Sequence, residues 1–124
     1  MSALQTAIRA KLAGISAPVY DSVPDNATAP YVVIGDDAET PVSMDGRQGL
    51  DVLATIEVWT DVRGRWQAKA IQAEVNAALH RQPLAVTGYN VLGVDEQSAS
   101  TEQGGDGVHY LGTQVYRIFM VAIV

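Results

Sequence analysis

The last sixteen residues, His109 to Val124, read as one strand about 50 Å long if fully extended at ~3.3 Å per residue. Its closing segment, Ile118-Phe119-Met120-Val121-Ala122-Ile123-Val124, is apolar on both faces. A second strand is written in period two: Val52, Ala54, Ile56 and Val58 alternate with Leu53, Thr55, Glu57 and Trp59. Between the two, Arg63 to Arg81 reads as the main helix, with Ala68, Ile71, Val75, Ala78 and Leu79 as its apolar stripe and Pro83 as its stop. Gln67, Glu74 and Asn76 fall off that stripe.

The rest of the chain fills in around these elements. From Ser2 to Ala13, the spacing of Leu4, Ile8, Leu12 and then Ile15 predicts a short amphipathic helix, capped by Ser2 and ended by Gly14. Pro18-Val19-Tyr20 is a short extended segment, and Tyr31 to Gly35 is an apolar β-branched strand reached through Pro30. Tyr89 to Asp95 is a further strand. The order is therefore α-β-β-β-α-β-β, an α+β fold: one antiparallel or mixed sheet with two helices packed on one face. Residues 1 to 124 form a single domain on this reading, since no repeat or linker divides them.

Charge narrows the possible partners. Fourteen acids against eight bases leave a net charge of -6. That argues against a general duplex-binding face, which relies on clustered basic residues. The excess is local. Asp36, Asp37, Glu39, Asp45 and Asp51, offset only by Arg47, make one acidic stretch; Asp95, Glu96, Glu102 and Asp106, with no base, make another. Both are rich in Gly, Ser, Thr and Gln, so they are expected to be loops. A main helix that crosses over between parallel strands sends these two acidic arms to opposite poles.

No catalytic constellation assembles. With no cysteine there is no disulfide, thiolate metal site or cysteine nucleophile, which fits a reducing compartment. No run is long and apolar enough for a membrane span or a signal peptide, and the expectation is a soluble protein made in the cytoplasm. Of the two histidines, His80 at the end of the main helix is read as structural and His109 at the start of the last strand as a loop-edge residue. Gly104 to Gly107 lacks the spacing of a phosphate loop. No cofactor or metal is expected. The competing reading is a small metal- or ligand-binding hydrolytic domain using Asp36, Asp37, Asp45 and His109.

Two features point to association instead. Arg63 and Arg65 stand at the start of the main helix, where the dipole disfavours cations; Asp61 is the candidate cap, and carboxylates on a neighbouring chain are the candidate partners. The two-faced apolar ending puts Phe119 and Val121 against another subunit if helices cover only one side of the sheet.

The order of elements resembles the tail completion, or tail terminator, proteins of long-tailed phages and gene transfer agents. The resemblance is carried by "APYVVIGD", an acidic stretch, "DVLATIEVWTDVRGRWQAKAIQAEVNAALHRQPL" and the closing "VHYLGTQVYRIFMVAIV". Val58-Trp59-Thr60 leads into a helix whose start is basic and aromatic, through Arg63, Arg65 and Trp66. The resemblance implies a non-enzymatic virion protein at the head–tail junction. It implies a ring, typically of six copies, that caps the head-proximal end of the tail tube, stops its growth and meets the head-side connector. The implied partners are the tube protein, the connector or stopper, and DNA only in passage, with no membrane. A neck or connector component one layer nearer the head is the alternative within the same assembly.

Overall fold

The structure, a computed structural model, describes residues 2–104 and 109–123. Helix α1 (Ala3–Lys11) starts on a reciprocal cap. The Ser2 hydroxyl accepts from the Gln5 backbone N–H and the Gln5 side chain accepts from that of Ser2, each at 3.1 Å. A 3₁₀ turn over Leu12–Gly14 ends it. The two-residue β1 (Val19–Tyr20) follows, then β2 (Tyr31–Met44), β3 (Arg47–Thr60), α2 (Trp66–Leu79), β4 (Tyr89–Gln103) and β5 (Tyr110–Ala122). The sheet order is β1-β2-β3-β5-β4, antiparallel except for the parallel β1–β2 pair. The expected α+β architecture and order of elements are those observed. Among the described residues no helix is long and apolar enough to cross a membrane.

Alternation sorts the strands into two faces. Val32, Ile34, Val52, Ala54, Ile56, Val58, Tyr116, Ile118 and Met120 point to one side and form one buried core with Leu4, Ile8 and Leu12 before β1 and Ile71, Val75 and Leu79 of α2. Both helices therefore cover the same face. At ~25 cal/mol per Å² of apolar surface removed from water, this single interface dominates the stability of a chain with no cross-link.

The acidic stretches are not loops. Asp36, Asp37 and Glu39 lie in β2, with Asp37 paired to Ala54 and Glu39 to Val52; Asp95, Glu96 and Glu102 lie in β4, paired to Arg117, Tyr116 and Leu111. Each strand has a long partner to satisfy its backbone, while most of these acids, Glu96 apart, face water, so the polar composition marks exposure rather than irregular backbone. The turn joining β2 to β3 is only Asp45-Gly46. Both residues have positive φ, 51° and 76°, the geometry of a tight type I′ hairpin. Asp106 lies outside the described residues.

The pairing keeps the two hairpin ends apart. Gly49 aligns with Val121 near the Asp45 turn, while Thr60 aligns with Tyr110 at the other end, next to Gln103. Crossover through α2 makes β3 and β4 run parallel with β5 between them, and the acidic hairpins do point to opposite poles.

Helix α2 is shorter than the sequence suggests. It begins at Trp66, with Arg65 at the cap position and no side-chain cap bond, so Asp61 does not serve as the cap. It ends at Leu79, and Arg81 turns into the left-handed region at φ 56° while its N–H bonds the Val94 carbonyl at 2.7 Å.

Candidate assembly surfaces

Three sets of residues qualify for a functional role: a polar cluster beneath α2, the start of that helix, and the sheet face that no helix covers.

The polar cluster lies between α2 and the β4–β5 hairpin. Gln72, Asn76 and His80 recur every four residues, so they share one helix face. Gln72 Nε2 donates to the Ser100 carbonyl at 2.9 Å, and Gln114 Nε2 lies 3.0 Å from the Gln72 carbonyl and 3.1 Å from Glu96 Oε2. The Tyr116 hydroxyl sits 3.2 Å from Asn76 Oδ1 and 3.3 Å from Glu96 Oε2. The Glu96 backbone N–H donates to His80 Nδ1 at 3.0 Å. Burial, and then the charge of Glu96, hold the Tyr116 hydroxyl far above the usual tyrosine range, so it stays a donor.

From Gln72 onward this cluster ties the helix to the sheet, and His80 enters it as the acceptor of a backbone hydrogen bond. Its packing is close: a Cβ added at Gly112 would stand 2.6 Å from Gln72 Nε2. Two residues read from sequence as off the apolar stripe are also engaged. Asn76 joins the cluster, and the Glu74 carboxylate accepts from the Ser16 hydroxyl at 2.6 Å and its backbone N–H at 3.1 Å.

The start of α2 has the opposite character. Arg63, Arg65 and Lys69 are exposed, and Trp66 is 64% exposed. Arg65 lies over the Tyr110 ring at 5.6 Å. None of these three cations has an ion-pair partner among the described residues. Their tripling at the positive end of a helix works against the dipole. Trp and Arg together, exposed and unpaired, are the residue types enriched at protein–protein contacts.

On the open sheet face, Leu53 is 43% exposed and Val115 and Phe119 are half-buried around an ion pair. Arg117 reaches across from β5 and binds both oxygens of Asp51 on β3, with Nε to Oδ1 at 2.9 Å, and its guanidinium lies 6.0 Å from the Phe119 ring. Phe119 thus remains available to a partner. Val121 does not: at 6% exposure, beside Asp45, Arg47, Asn90 and Leu92, it is already buried within the chain.

The Arg117 bond holds the Asp51 carboxyl below the usual carboxylate range. A carboxyl with a lowered folded-state pKa stabilises above its unfolded pKa and loses that contribution as pH falls through the folded value. Urea midpoints of the native chain and D51N are therefore expected to differ slightly near neutrality and to converge as pH drops below about 4.

The residues of the metal-binding alternative are not brought together. Asp45 turns one hairpin and His109 opens the strand at the other end, with all of β3 between them, about 40 Å at ~3.3 Å per residue. Among the described residues no group of three or more His, Asp or Glu is placed to hold a metal ion.

The chain presents a two-layer α+β fold whose exposed Trp66, Arg63 and Arg65 and open sheet face have the composition of protein–protein contact surfaces. The family model described as tail completion protein gp17 matches residues 2–120, and the chain belongs to that family of structural tail proteins. Among solved structures it is similar to a chain of the virion of a native gene transfer agent particle, at a TM-score of 0.88 and 25% identity, covering 96% of this chain and 95% of that one. No curated protein sequence matches it.

Proposed function

We propose that this chain is a tail terminator: a ring subunit, six to the ring, that caps the head-proximal end of a tail tube and joins it to the head connector. The family match across residues 2–120 carries the reading, and the likeness to a gene transfer agent virion chain over nearly the whole of both chains supports it. Arg63, Arg65 and Trp66 make subunit contacts in the ring, with Phe119 on the open sheet face as a second. Because the hairpin ends lie at opposite poles, one meets the tube and the other the connector. Acids left exposed on the strands, such as Glu102, suit the wall of a conduit, since negative charge repels passing phosphates. The protein's work is to terminate and join, without turnover.

The test is to add the purified protein to growing tail tubes and image their ends by electron microscopy. A ring at one end of each tube, with elongation halted there, is the expected result. Bare ends with continued growth would remove the terminator reading and leave a connector layer as its replacement.

A further inference from the structure

The helix layer stops short on β2. Val32 and Ile34 are buried beneath α1, but the next residues on that same face, Asp37, Glu39 and Pro41, are exposed. Their register partners are Ala54, Val52 and Leu50 of β3, which fixes them on the helix side of the sheet. The result is a ledge along the sheet edge, in the plane of the helices, with two carboxylates followed by an apolar step of Pro41 beside the half-buried Leu50. Neither Asp37 nor Glu39 has an ion-pair partner among the described residues.

The basic start of α2 has the matching composition: three unpaired cations around a Trp. Within one chain the two surfaces do not meet. Arg65, in the middle of the basic start, lies over Tyr110 on β5, whereas Asp37 is level with Tyr116 through Ala54. That offset is six residues, about 20 Å along the strands, with β3 between β5 and β2.

Resting on the ring reading above, we infer that the α2 start of one copy seats on the β2 ledge of the next, with Arg63, Arg65 and Lys69 facing Asp37 and Glu39 and Trp66 packing on Pro41 and Leu50. The occupant is a second copy because each surface supplies the charge and the apolar step that the other lacks, and both lie in the same layer. Such a contact joins two different patches, so it propagates from copy to copy and closes when the rotation permits. It also supplies carboxylates to cations that the helix dipole disfavours.

Charge exchange tests this directly. R63E/R65E places like charges opposite the ledge, and D37R/E39R does so from the other side. The quadruple variant combining both pairs restores opposite charges among the four exchanged positions, leaving only Lys69 unmatched, and so does an equimolar mixture of the two double variants in a ring of even number. All four positions are exposed, and thermal melts confirm that each variant is folded. Sedimentation at rising protein concentration is expected to show at least tenfold weaker association for each double variant and recovery in the quadruple. Rings that tolerate both reversals, or a quadruple as weak as its parents, would overturn the contact while leaving the ring intact. A native chain that stays monomeric in solution and on tube ends would overturn the contact and the ring together.

Discussion

Replacing Tyr116 with alanine is expected to cost ~3–5 kcal/mol, a large share of the ~5–15 kcal/mol that holds a domain of this size together. Tyr116 is the largest fully buried side chain, and its ring fills the space between β5 and α2. The substitution opens a cavity and also takes a hydrogen-bond partner from Gln114, Asn76 and Glu96 at once. Tyr116→Phe separates the two losses: it keeps the ring, removes the hydroxyl, and is expected to cost about 1–2 kcal/mol. Urea denaturation of the three proteins measures both. Equal midpoints for Phe and Ala would mean that the polar cluster, rather than packing, anchors the helix.

Trp66→Ala should behave in the opposite way. With 64% of its surface in water, Trp66 contributes little to the folded chain, and the melting temperature is expected to stay close to that of the native protein. Association is where the loss appears, at ~2 kcal/mol or more, roughly thirtyfold in affinity, as for an aromatic anchor at the centre of a contact. Sedimentation of the native and variant chains, with parallel melts, reads the two effects separately. A variant that assembles normally would place Trp66 outside the ring contact.

The fold was largely legible because its buried face repeats. Period two in Val52–Val58, the stripe from Ala68 to Leu79 and the long closing strand each follow from one side of an element facing one core. What sequence reading missed lies where exposure and backbone order part company. Residues 36–44 and 96–103 are polar, and polarity alone does not tell a solvated strand from a loop. The signal that could have told them apart was Asp45-Gly46, a dipeptide suited to a two-residue hairpin, which implies strands on both sides of it.

The candidate surfaces were legible in composition rather than position. Arg63, Arg65 and Trp66 stood out because cations at a helix start call for a reason. Nothing in the sequence showed that Val121 is covered by its own chain, since β5 alternates regularly and the cover comes from residues near its hairpin neighbours. The cluster of Gln72, Asn76, Gln114 and Tyr116 was equally hidden: its members sit on two elements far apart in the chain, and amides read as surface until the packing places them.

A ring built about a single axis has two unlike faces, and where the strands run along that axis the separated hairpin ends are what tell them apart. Rotation about a single axis carries every Asp45 turn onto one circle and every Gln103–Tyr110 end onto another. The two circles differ in chemistry, so such a ring has a front and a back. It cannot be inserted upside down with the same contacts.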